Sequence, residues 1–107
     1  MKISITVERE FHTFGDYLRF VRLARFGETL QGMANIYGCS RQYIDQAERD
    51  FPVSLEVMAS VLKVYKISAD DIELVKDVIS APPKYRKRFG DAAKDQWVSA
   101  LKSQVVV

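Results

Sequence analysis

Arg41, Gln42, Asp45, Gln46 and Arg49 stand together on the polar side of the stretch "GCSRQYIDQAERD", residues 38 to 50, directly after a Gly-Cys-Ser turn. A helix that only covers a core tolerates almost any polar residues on its outer side. One offered to base edges needs guanidinium and carboxamide groups, because these make paired hydrogen bonds. Arg41 suits guanine O6 and N7, and Gln42 or Gln46 suits adenine N6 and N7. Asp45 would either accept from cytosine N4 or orient Arg41 four residues earlier. Tyr43 can donate to a phosphate, and Arg49 can reach the backbone. The competing reading is a solvated helix face with incidental charges.

Such a face is useful only if the chain holds it out. Ser40 is a good N-cap for a helix over about 41 to 49. Gly38 suits the left-handed residue that ends a preceding helix over about 30 to 37, itself capped by Thr29. Met33, Tyr37, Cys39, Ile44 and Ala47 are spaced to point between the two helices, and Ala34 is small enough for them to cross closely. Two short helices joined by a tight glycine-containing turn make a helix-turn-helix. Upstream, Phe14, Tyr17, Leu18, Phe20, Val21 and Ala24 recur at helical spacing. Downstream, Pro52 breaks the chain and Ser54 caps a fourth helix with Leu55, Met58, Ala59, Leu62 and Tyr65 on its buried stripe. Ser68 with Asp71 resembles a capping box for a fifth, whose apolar side is Ile72, Val75 and Ile79. Beyond "APP", the residues Tyr85, Phe89, Ala93, Trp97, Ala100 and Leu101 return to helical spacing, with a turn expected at Gly90-Asp91. At the start, "ISITV" alternates like a short strand, or else is a frayed terminus.

Composition sets the frame. With 107 residues, 48% apolar and 28% charged, the chain suits one folded domain and excludes wholesale disorder. One cysteine, Cys39, and one histidine, His12, argue against a zinc site and against an internal disulfide. No apolar run has membrane-spanning length and the N-terminus is not a signal peptide, so a cytoplasmic location is expected. No paired nucleophile and base, metal cluster or glycine-rich phosphate loop is present, so neither an enzyme nor a cofactor is expected. Net charge is +2, less than many nucleic-acid binders carry. The basic end is C-terminal: residues 84 to 102 hold six cations against two aspartates, including the run "KYRKR". That run is either a solvated face, a phosphate contact or a site for an acidic partner.

Residues 14 to 68 resemble the Cro and phage-repressor type of helix-turn-helix domain, the XRE family. The likeness rests on "TLQGMANIYGCSRQYIDQAER", with alanine at 34, glycine at 38, serine at 40, "YI" at 43 and 44 and glutamate at 48. "FGDYLRFVR" is similar to the family's first helix and "PVSLEVMASVLKVYKIS" to its fourth and the lead into its fifth. The departures are Leu30 where the family has glutamine, with Gln31 beside it; a loop before the second helix one residue longer; and Asp50 and Lys66 where glycines are usual.

The resemblance implies an all-α, five-helix lambda-repressor-like domain over 14–80. An extension over 1–13 would carry the strand, and a helical extension over 81–107 would serve dimerisation. It implies a regulator, most simply a repressor, bound as a homodimer to operator DNA. Its DNA-binding residues would be Thr29, Gln31, Ser40, Arg41, Gln42, Tyr43, Asp45, Gln46 and Arg49. Arg22 and Glu48 would form a buried structural pair. Tyr85, Phe89, Trp97 and Leu101 form a stripe that either covers the core or meets a second copy; the short recognition helix favours the interface, because dimers read two half-sites. The alternative is an antitoxin or anti-regulator that uses the same scaffold to bind protein. Over residues 15 to 50, five arginines balance five acids, which suits that alternative.

Overall fold

Side-chain oxygens placed one residue ahead of each apolar run decide where the helices begin. In the computed structural model, which describes residues 11–38 and 40–105, Thr13 accepts from the Asp16 N–H and starts α1, Phe14–Val21. Thr29 accepts from Gly32 and starts α2, Leu30–Tyr37; Ser40 accepts from Gln42 and starts α3, Arg41–Glu48. Ser54 starts α4, Leu55–Val64, and Ser68 forms a full capping box with Asp71 at α5, Ala69–Val75. Pro83 opens α6, Pro83–Phe89, where its missing N–H costs nothing. A short 3-10 turn over Gly90–Ala92 leads into α7, Ala93–Val105. Among the described residues every regular element is helical and none is a strand. The strand expected over residues 3 to 7, Cys39 and the side chain of Tyr37 lie outside the described residues.

Helices α1, α2 and α4 pack around α3, while α7 lies across α4, α5 and α6. One core joins both groups: Leu18, Val21, Met33, Ile44, Leu62, Tyr65 and Ile72 on one side, Trp97, Val98 and Leu101 on the other. The radius of gyration, 13.6 Å, matches the roughly 13 Å of a compact chain this long. Among the described residues no helix is long and apolar enough to cross a membrane.

The core corrects part of the sequence reading. Trp97 and Leu101 are buried, at 3% and 0% exposure, and so are not free to meet a second copy. Tyr85 and Phe89 are half-buried, with the Tyr85 ring edge-on to Trp97 at 4.9 Å and 5.3 Å from Phe89. The stripe therefore covers the core of its own chain. Ala24 is exposed, because α1 gives way at Arg22 to a π-helical turn, Arg22–Phe26, whose wider winding carries it off the buried side. Ile79 is buried but lies past the end of α5, in extended backbone.

Helices α3 and α4 both close in a Schellman arrangement, and in both the left-handed residue carries a side chain. Asp50 has φ 62° and Lys66 φ 54°. Phe51 N–H donates to Gln46 and Asp50 N–H to Ala47; Ile67 N–H donates to Leu62 and Lys66 N–H to Lys63. The Asp50 carboxylate accepts from Gly15 N–H at 2.8 Å, tying the end of α3 to the start of α1. A Cβ at Gly15 would sit 2.3 Å from the Glu48 carbonyl oxygen, so only glycine allows this approach. Lys66 has no comparable role: its side chain makes no hydrogen bond or ion pair among the described residues. Lys66→Gly should therefore stabilise the fold by about 1 kcal/mol, by removing the left-handed penalty. Asp50→Gly should bring no such gain, because it also removes the tie to Gly15. Urea unfolding midpoints of the two variants test the contrast.

Candidate functional site

The last turn of α3 rests on a buried ion pair. Arg22 Nε donates to Glu48 Oε2 at 2.8 Å and Nη2 to Oε1 at 2.9 Å, the paired geometry of guanidinium and carboxylate. Arg22 Nη1 donates to the Glu28 carbonyl at 2.8 Å, and Tyr65 donates its hydroxyl to Glu48 Oε2. Arg19 adds a longer contact, Nε to Glu48 Oε1 at 3.7 Å. One carboxylate thus joins α1, α3 and α4 in the interior. Burial, and then the bond to Glu48, push the Tyr65 hydroxyl far above its ordinary pKa, so it stays a donor. No buried side-chain polar atom among the described residues lacks a partner.

A second cluster of the same make lies one turn further on. Arg25 Nη2 donates to Asp71 Oδ1 at 2.9 Å and Nη1 to Oδ2 at 3.2 Å, while Tyr17 donates to Oδ1 at 2.6 Å. Asp71 reads in sequence as a capping-box acid only; it also ties α5 to α1 and to the π-helical turn. Burial alone pushes the Asp71 carboxyl up, but the bonds from Arg25, Tyr17 and the Ser68 backbone outweigh it and hold it at about 2. Its folded pKa is thus below its ordinary 3.8, so its stabilisation is complete above about pH 4 and is lost as pH falls towards 2. The loss should be about 1–2 kcal/mol, and Asp71→Asn should remove this part of the acid dependence. Unfolding midpoints of both proteins measured from pH 5 to about 2 should converge at the acid end.

With its inner side fixed, α3 leaves its polar side open. Ser40, Arg41, Gln42, Tyr43 and Arg49 are exposed; Asp45 and Gln46 are half-buried. Ile44, Ala47 and Glu48 take the buried side. Among the described residues, the side chains of Arg41, Gln42 and Gln46 make no hydrogen bond or ion pair. Asp45 does not pair with Arg41. It pairs with Arg49, at 3.4 Å. An acid four residues ahead of a base is the favoured order on a helix, since it agrees with the helix dipole; Arg41 with Asp45 would be the reverse. Thr29 and Ser40 each spend a lone pair on a cap yet stay exposed, and Gln31 donates to Asn35 Oδ1 at 2.8 Å on the outer side of α2. The sequence-expected polar residues thus share the outer sides of α2 and α3, most of them exposed and Asp45 and Gln46 half-buried.

No family model, curated protein or solved structure matches this chain.

Proposed function

We propose that the chain is a sequence-specific regulator that binds double-stranded DNA as a homodimer, with α2 and α3 as a helix-turn-helix of the XRE type and α3 as the recognition helix. The observation that carries this reading is the open side of α3. Among the described residues the Arg41 guanidinium and the Gln42 and Gln46 carboxamides have no internal partners, while the inner side of α3 is fixed by Glu48. Holding a short rod rigidly costs two buried charges, which is reasonable where the rod must keep one orientation. Gly38, at φ 65°, turns the chain between α2 and α3 as such a motif requires.

In this reading α1 to α5 are the lambda-repressor-like domain and α6 and α7 extend it. Arg41 reads guanine, and Gln42 and Gln46 read adenine. Asp45 holds Arg49 towards a phosphate. Thr29, Gln31, Ser40 and Tyr43 hydrogen-bond the backbone, which fixes register without reading sequence. Because Trp97 and Leu101 belong to the core, the dimer contact is made by other residues.

The test is a binding titration against duplex DNA across salt concentrations. Affinity should fall steeply with salt, as phosphate contacts release counterions. Arg41→Ala and Gln46→Ala should each cost about 1–3 kcal/mol on the preferred sequence and relax the choice of base. Unchanged selectivity in both variants would remove α3 as the reader. The equal numbers of arginines and acids over residues 15 to 50 favour the second reading, a scaffold that binds protein. In that case no duplex would be held at moderate salt.

A further inference from the structure

Helix α6 carries Lys84, Arg86, Lys87 and Arg88 within seven residues, and all four are exposed. None of them forms an ion pair among the described residues. Among the described residues Arg88 has a partner, the Phe89 ring at 5.2 Å. The opposite side of α6 is fixed. Tyr85 and Phe89 pack on the core, and Tyr85 meets Trp97 edge-on. The helix is therefore a firm mount for unpaired positive charge rather than a loose tail.

Its place relative to α3 gives that charge a direction. Arg86, Pro82 and Pro83 border a groove of about 260 Å³ whose other wall is Ala47, Asp50, Phe51, Pro52 and Val53, the last turn and exit of α3. Helix α3 has eight residues and so is about 12 Å long at 1.5 Å per residue. The major groove is about 12 Å wide. A rod of that length seated there brings an end close to the phosphates on the groove's rim. In the DNA-binding reading the exit of α3 is that end, and Arg86, alone of the four cations, lines the groove beside it.

We propose that α6 is a phosphate-binding arm that extends the DNA interface past the end of the recognition helix, with Arg86 nearest the rim and Lys84, Lys87 and Arg88 following the backbone outward. The proposal rests on the DNA-binding reading above. It explains how a chain with charge balanced over residues 15 to 50 would gain affinity: α3 reads bases, and the backbone attraction comes from α6. Point charges on phosphate carry no base preference, so α6 adds affinity without altering sequence choice.

The experiment uses the full chain and a random-sequence duplex of about 30 base pairs, titrated between about 50 and 200 mM salt. Each phosphate contact contributes about 0.9 to the slope of log affinity against log salt. The fourfold variant Lys84→Gln, Arg86→Gln, Lys87→Gln, Arg88→Gln should flatten that slope by about 2–3, with its preferred sequence unchanged. Lys87→Glu alone should flatten it by about 1 or more, and keeps the test sound if the fourfold variant fails to fold. A wild-type slope in both variants would overturn the proposal. So would a wild-type slope together with lost binding to polyglutamate, which would assign the patch to an acidic protein. A wild-type chain that binds no duplex would instead remove the reading on which the proposal rests.

Discussion

Glu48→Ala should destabilise the protein by about 3–5 kcal/mol, because it strips the partner from a buried guanidinium. Among the described residues, the substitution leaves the Arg22 guanidinium with the Glu28 carbonyl and leaves the Tyr65 hydroxyl without its acceptor. A chain this size has roughly 5–15 kcal/mol of stability, so the loss is a large share of it. Melting should fall by about 12–20 °C. The cost arises from orphaned charge more than from lost attraction. Replacing both partners, Arg22→Met with Glu48→Leu, should therefore recover much of it, since apolar residues of similar volume need no compensation. A drop of less than about 1 kcal/mol in the single variant would show that the pair behaves as an exposed one.

Trp97→Ala should cost about 3–5 kcal/mol, through lost burial and the cavity left behind. Trp97 is 3% exposed, and its ring is met edge-on by Tyr85. Its removal also takes away the support of α6. The decisive readout is concentration dependence. A core residue lowers the unfolding midpoint equally at all protein concentrations, whereas a residue between two copies gives an effect that varies with concentration. Denaturant unfolding at two concentrations about tenfold apart separates these outcomes, and an effect that vanishes in dilute protein would return Trp97 to an interface.

The helices and their starts were legible because the cues are local. Thr29, Ser40, Ser54 and Ser68 each precede a stretch with helical spacing and each caps a helix. Gly38 marks a turn that few other residues can make. The Trp97 stripe shows the limit of such cues. Helical spacing says that one side of a helix is buried, and it is silent on whether the cover is the same chain. The π-helical turn has no local signature of this kind. The Arg25–Asp71–Tyr17 cluster joins residues 46 and 54 positions apart, and capping alone accounts for an aspartate after Ser68. Asp45 had a basic residue on either side, and only the helix dipole separates the two choices. The outer residues of α3 could be named from sequence because they follow from helix phase, but their openness depends on how distant helices pack.

Selection of bound sequences from a random duplex pool tests the central claim most directly. The claim is that the open side of α3 reads base edges. The wild-type protein should enrich one motif containing guanine and adenine contacts, repeated as two half-sites about 10–10.5 base pairs apart centre to centre. Arg41→Ala should lose preference at one position of each half-site and keep the rest. A pool that stays unenriched after repeated rounds, with the protein folded throughout, would contradict the account.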